Sequence, residues 1–144
     1  IFEEKKIKII VSDYETVMKC LDKKKNYEFC KSQNIKIPNT VFLKKRNELE
    51  FPLILKRIKG SGSKGQRLIK NEKEMSCFKN GVDLMQQYIK GKEYGMDILN
   101  DLNGNYLHSF TREKLLMRNG ETDKAKAVYS EKYIHMAKNI SRIF

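Results

Sequence analysis

The chain has 144 residues, about one domain on the usual scale of ~100–200 residues, and its 40% hydrophobic and 33% charged content with two prolines excludes collagen-like, mucin-like and wholly disordered classes. No stretch approaches the ~20 continuous apolar residues that span a bilayer, so no membrane partner is expected. Thirty basic against 18 acidic residues give a net charge of +12, which brings phosphate-bearing partners to mind, although the arginines are only Arg46, Arg57, Arg67, Arg112, Arg118 and Arg142 and nucleic-acid faces lean on arginine forks.

Residues 5–11 form a short apolar run like a buried strand, and Ser12 with Glu15 three positions on reads as the capped start of a helix. Asp22 is the cap candidate of a second helix, through Tyr27, Phe29 and Cys30, that ends near Asn34. Ile35 to Phe42 contains Pro38 and suits an edge strand or connector. From Phe51 to Ile58 the pattern is apolar on both pleat faces, as for a buried strand, yet Lys56 shares a face with Ile54 and Ile58 and needs an anionic partner there. Gly60 to Gly65 is a glycine loop, followed by a short strand-like stretch, Gln66 to Lys70. Asn71 caps an expected helix over 72–80 that stops at Asn80-Gly81, and Val82 to Ile89 reads as a strand.

Glu93 to Leu102 and Tyr106 to Met117 read as strands joined by the hairpin signal Asn103-Gly104; Asn119-Gly120 marks another turn before a short strand, Lys124 to Tyr129. Ser130 caps an amphipathic helix whose apolar members are Tyr133, Ile134, Ala137, Ile140 and Phe144. Cys20, Cys30 and Cys77 form no CxxC pair and are odd in number, which favours reduced thiols in a cytoplasmic protein over disulfides or zinc. His108 and His135 lie near no cluster with ligand spacing. The start, Ile1-Phe2-Glu3-Glu4, is neither a signal peptide nor an initiator methionine and reads as the cut edge of a longer chain.

Gly60-x-Gly62-x-x-Gly65 has the letters of a dinucleotide fingerprint, but that motif needs a following helix to receive the pyrophosphate, and a strand is expected instead. No GK[ST] tail follows, so it is not a Walker A loop. Two readings of the loop stay open: a flexible hairpin turn without a ligand, or a flap that lays backbone N–H groups over a triphosphate.

Several segments in order resemble the ATP-grasp superfamily, in particular its carbamoyl-phosphate-synthase-like branch. Asp22-Lys23, Phe29 and Ile37-Pro38-Asn39-Thr40 resemble the family's entry into its small subdomain. Phe51 to Lys56 with Gly60 to Gly65 is similar to its strand, lysine and phosphate flap. Gln86-Gln87-Tyr88-Ile89-Lys90-Gly91-Lys92-Glu93-Tyr94 resembles the hinge-and-ribose segment, and Arg112-Glu113-Lys114 with Arg118 to Lys124 resembles a later signature. The resemblance implies an α+β ATP-grasp fragment: 1–22 as the end of a preceding Rossmann-like domain, 23–85 as the small subdomain and 86–144 as the truncated start of the large one.

The resemblance also implies roles. Lys56 and Lys23 would meet the nucleotide phosphates, under the flap of Gly60, Ser61, Gly62, Ser63, Lys64 and Gly65. Backbone groups of Gln87, Tyr88 and Ile89 would bond the adenine edge, and Glu93 the ribose hydroxyls. Arg112 and Arg118 would be catalytic, facing the transferring phosphoryl group or the acceptor carboxylate. For Lys23, Glu93 and the arginines, ordinary solvated or salt-bridged surface residues remain the competing reading. The family's magnesium ligands fall downstream of residue 144, so ATP is the expected cofactor here and Mg2+ would be held elsewhere, leaving this segment inactive alone. The implied function is an ATP-dependent ligase activating an unidentified carboxylate-type acceptor. The alternative left open is a non-catalytic nucleotide- or nucleic-acid-binding module; nucleic acid ranks below ATP as a partner, and oligomeric state is not legible.

Overall fold

The computed structural model describes residues 4, 5, 7, 9, 11–42 and 49–144. Two helices come first. Helix α1 (Tyr14–Leu21) is capped by Asp13, whose carboxylate accepts from the Thr16 N–H at 3.0 Å. The cap is therefore Asp13 rather than Ser12, because the carboxylate one position on reaches the amide three residues ahead of it. The strand expected over 5–11 is not present at the described positions: Ile7, Ile9 and Val11 are exposed and unpaired, with no described strand beside them to complete a ladder, while Lys6, Lys8 and Ile10 lie outside the described residues.

Helix α2 (Lys23–Ser32) starts where Asp22 accepts from the Lys24 and Lys25 N–H groups. Asn34 takes a left-handed φ of 55° just past its end, as asparagine does readily. The N-terminal end of α2 is pinned to the sheet. The Lys23 N–H donates to the Ile58 carbonyl at 3.0 Å, and Asp22 bridges to Lys59.

The first sheet contains β1 (Thr40–Val41), β2 (Leu53–Arg57), β3 (Arg67–Ile69) and β4 (Asp83–Gln87), all antiparallel, in the order β1-β4-β2-β3. The two-residue β1 follows Pro38 and lies at the edge, where a missing proline N–H costs nothing. One face of this sheet carries Leu53, Leu55, Ile69 and Met85, which pack with Leu49, Met75 and Phe78 into the core. The other face carries Thr40, Ile54, Lys56, Leu84 and Gln86, since directly opposed residues of an antiparallel pair share a face.

Between β3 and β4 the expected α-helix is a shorter 3₁₀ turn, Lys73–Cys77. Met75 and Phe78, three residues apart, both enter the core, and a period of three residues per turn stacks them on one side. Asn71 does cap it, its side-chain oxygen accepting from the Glu74 N–H at 3.2 Å.

The second sheet is a three-stranded meander, β5 (Tyr94–Asn100), β6 (Tyr106–Arg118) and β7 (Glu121–Val128). The β6–β7 turn is Asn119-Gly120 with φ of 52° and 82°, the conformation that a tight hairpin between twisted strands demands. The β5–β6 connection is built differently. Asp101 accepts from the N–H groups of Asn103 and Asn105 and from the Asn105 amide, so a carboxylate organises the loop and only Gly104 takes positive φ. Those bonds, the Asn105 side chain foremost, hold the Asp101 carboxyl below its usual range.

Helix α3 (Glu131–Ser141) lies across β5 and β6, burying Ala137 completely and placing Tyr133 5.5 Å from Tyr94, centroid to centroid. Ser130 is its cap residue by position but makes no side-chain cap bond. Phe144 packs edge-on against Phe29 of α2 at 5.0 Å, which ties the end of α3 to the helix pair.

Candidate functional site

Strand β2 points Lys56 away from the apolar core, and the chain then turns through Gly60 to Gly65 into β3. That loop needs its glycines: Gly60, Gly62 and Gly65 have φ of 129°, 61° and 76°, and Ser63 joins them at 53°. Beneath it lies a cleft of about 230 Å³ lined by Lys23, Lys56, Arg57, Gln66, Gly120 and the loop residues Gly60 to Lys64. The sequence-expected Lys23, Lys56 and flap are thus brought together. The Lys23 ammonium donates to the Gly60 carbonyl at 2.8 Å, a reach made possible by the docking of α2 on Ile58.

Lys56 Nζ donates to Gln86 Oε1 at 2.8 Å. Burial holds its proton affinity below the ordinary lysine range, the like charge of Lys23 adds to this, and Glu93 opposes it. Among the described residues neither Lys23 nor Lys56 makes an ion pair with a carboxylate; both meet neutral oxygens. A larger cavity of about 940 Å³, lined by Lys24, Phe42 and Arg57 among others, includes neither Lys23 nor Lys56 nor the glycine loop.

The remaining expected residues are distributed as follows. In the segment joining the sheets, the Gln87 N–H is committed to the Asn39 carbonyl at 2.8 Å and the Tyr88 N–H to the Pro52 carbonyl at 3.3 Å. Ile89 is 64% exposed, and its N–H makes no hydrogen bond among the described residues. Glu93 accepts from Lys114 Nζ at 2.6 Å. Arg112 shares a face of the second sheet with Gly95 and Asp97 and is paired with Asp97. Arg118, at the end of β6 before the Asn119-Gly120 turn, is largely exposed, lies 3.1 Å from Asp123 and is not among the residues lining the cleft.

Sequence reasoning missed three supports of this cleft. Arg57 packs against the loop, its Cγ and Nε 3.4 Å from where a Cβ on Gly65 would sit, and is held by buried Asp83 at 3.5 Å. Thr40 and Gln86 lead to Lys56. Gly120 meets the flap: a Cβ built on it would lie 2.3 Å from the Gly62 carbonyl. The glycine spacing signalled the flap but not its seat, which comes from a turn far along the chain.

No group of three histidines, cysteines, aspartates or glutamates among the described residues could hold a metal. No carboxylate of the described residues lines the cleft, and Asp83, Glu93, Asp97 and Asp123 are each engaged by a cation, a poor donor set for Mg2+, which demands free oxygen ligands. Nor is any helix of the described residues long and apolar enough to cross a membrane.

The family model for the ATP-grasp domain matches residues 20–144. The chain belongs to the ATP-grasp family. Its fold is similar to the biotin carboxylase domain of 2-oxoglutarate carboxylase from Hydrogenobacter thermophilus, a complex with MgADP, ADP and bicarbonate (TM-score 0.73, 21% identity, 99% of this chain and 38% of that one). It is also similar to D-alanine–D-alanine ligase from Helicobacter pylori (0.70, 20%, 99% and 51%) and to N5-carboxyaminoimidazole ribonucleotide synthetase from Thermotoga maritima (0.62, 23%, 85% and 33%). This ATP-grasp chain therefore spans about a third to a half of the length of these proteins. No curated protein sequence matches it.

Proposed function

We propose that this ATP-grasp chain is the ATP-binding part of an ATP-dependent ligase that activates a carboxylate-type acceptor as an acyl phosphate, in the manner of the carbamoyl-phosphate-synthase-like branch. One observation carries the reading: two ammonium groups, Lys23 and Lys56, converge beneath a glycine flap with neutral oxygens as their partners, so their charge is left for an anion. A triphosphate supplies that anion, and the loop amides add charge-assisted donors over its β and γ phosphates. In this reading the uncommitted Ile89 N–H would bond the adenine edge, and Glu93, with one oxygen on Lys114, has acceptor capacity left for ribose hydroxyls. Gln87 and Tyr88 serve through their carbonyls, since their N–H groups are committed within the fold.

In the reaction an acceptor carboxylate oxygen attacks the γ-phosphorus, the bond to the β-γ bridging oxygen breaks, and ADP leaves with that electron pair. A nucleophile such as an amine then attacks the acyl carbon and phosphate departs, a far better leaving group than oxide. Arg112 would face the developing charge, exchanging Asp97 for it, and Arg118 would contribute from the edge. Free thiols at Cys20, Cys30 and Cys77 suit a cytoplasmic setting. Residues 1–22, 23–85 and 86–144 are read as the end of a preceding domain, the small subdomain and the start of the large one; the ligands for Mg2+ would come from other parts of the parent protein.

Isothermal titration of the full-length protein with ATP, whose ribose hydroxyls are free, tests this. Lys56→Ala should abolish binding and Glu93→Ala should weaken it about tenfold, the cost of a hydrogen bond to a charged group. Binding indifferent to both substitutions overturns the site.

A further inference from the structure

Three strands contribute one side chain each to a chain of hydrogen bonds that ends on Lys56. Thr40 on β1 stands directly opposite Gln86 on β4, and Gln86 is the diagonal neighbour of Lys56 on β2, whose direct partner is Leu84. All three share the cleft face of the sheet. Thr40 Oγ1 donates to the Pro38 carbonyl at 2.9 Å, Gln86 Nε2 donates to Thr40 Oγ1 at 3.0 Å, and Lys56 Nζ donates to Gln86 Oε1 at 2.8 Å.

The direction of this chain is dictated by chemistry at both ends. A carbonyl only accepts, so the single hydroxyl proton of Thr40 is spent on Pro38 and its oxygen is left to accept from Gln86. An ammonium only donates, so the atom of Gln86 facing Lys56 has to be the oxygen. A flipped carboxamide would set two N–H groups against three. Thr40 is buried, which makes an unpaired hydroxyl or amide there costly and the orientation correspondingly firm.

We infer that Thr40 and Gln86 are positioning residues for Lys56: the Thr40 hydroxyl fixes the Gln86 carboxamide, and its oxygen aims the ammonium into the cleft without neutralising it. This rests on the nucleotide site proposed above. A carboxylate at position 86 would hold Lys56 equally well but would cancel the charge that the ligand needs. A neutral oxygen orients the ammonium and leaves its charge available. The lowered proton affinity of Lys56 agrees with this arrangement, in which the facing charges are Lys23 from α2, Glu93 from the segment before β5, and Arg57 and Lys64 around the cleft.

The test uses the full-length protein, trinitrophenyl-ATP titrations and thermal melts. Thr40→Val keeps the shape and removes the hydroxyl; nucleotide affinity should fall roughly three- to tenfold, the worth of one hydrogen bond. Thr40→Ser, which keeps the hydroxyl, should restore wild-type affinity. Should Thr40→Val melt too low to titrate, Gln86→Met, of similar length and without the amide, should show the same loss. Gln86→Glu should move the alkaline loss of binding to higher pH, because an opposite charge beside Lys56 raises its proton affinity. Wild-type affinity in Thr40→Val or Gln86→Met, a Thr40→Ser variant as weak as Thr40→Val, or an unmoved pH limb in Gln86→Glu overturns the positioning role while the site itself stands, provided that Lys56→Ala has lost binding. Wild-type binding by Lys56→Ala overturns both.

Discussion

At the scale of single residues the decisive group is Lys56. Its ammonium sits below the ordinary lysine range because burial disfavours the charged form and Lys23 repels it, with Glu93 pulling the other way. The unfolded lysine keeps its ordinary value, so between the two values the unfolded chain binds more protons and the empty protein gains stability as pH rises. For an anionic ligand the sign is opposite. A phosphate favours the protonated amine, so ATP affinity should decline as pH rises through the lowered value, and binding near that pH should take up protons. Isothermal titration in buffers of different ionisation enthalpy measures the uptake. An affinity flat with pH until the ordinary lysine range would contradict the assignment. Lys56 was legible in the sequence because a cation on an apolar pleat face needs a reason. Its partners were not, since Gln86 and Thr40 become neighbours only through strand register.

Among the elements, the glycine loop and the β6–β7 turn form a coupled pair. Gly104 and Gly120 both have φ of 82°, yet a Cβ on Gly104 would meet nothing within 4 Å while one on Gly120 would lie 2.3 Å from the Gly62 carbonyl. Alanine at either position pays a left-handed conformation, roughly 1–2 kcal/mol. Only Gly120→Ala must also push the flap away from its seat. Urea melts should therefore show both variants destabilised and Gly120→Ala more so, and nucleotide affinity should fall in Gly120→Ala alone. Equal nucleotide affinity in the two variants would mean that the flap does not depend on this turn. The sequence revealed both turns through their Asn-Gly pairs but ranked them alike, and the physical difference lies in neighbours rather than letters. The same limit applies to the 3₁₀ turn at Lys73–Cys77: Met75 and Phe78, three residues apart, are compatible with either helical period, so their spacing did not choose between them. Strand order was similarly out of reach, whereas the two Asn-Gly turns marked off β5, β6 and β7, although β7 starts at Glu121 rather than at Lys124.

Over the whole molecule, the +12 charge is carried by paired, solvated and cleft cations that differ in what they can bind. In and beside the second sheet four cations are partnered: Lys92 with Glu113 at 2.9 Å, Lys114 with Glu93, Arg112 with Asp97 and Arg118 with Asp123. Such pairs on an exposed surface contribute little to stability and leave little net field. Other cations without a carboxylate partner among the described residues, such as Lys64, Arg67, Lys70, Lys124 and Lys126, sit at exposed positions, whereas Lys23 and Lys56 converge on one cleft. A nucleic-acid footprint would need a stripe of cations tracking many phosphates, with affinity dropping roughly 10³-fold or more between about 50 and 200 mM salt. A triphosphate gripped by two lysines and a few amides has fewer counterions to release, so its salt dependence should be shallow. Trinitrophenyl-ATP titrations across that salt range, repeated with single-stranded DNA as competitor, separate the two cases. Modest weakening with salt and no displacement by DNA are expected; steep weakening together with displacement would transfer the excess charge, and the function with it, to a polyanion.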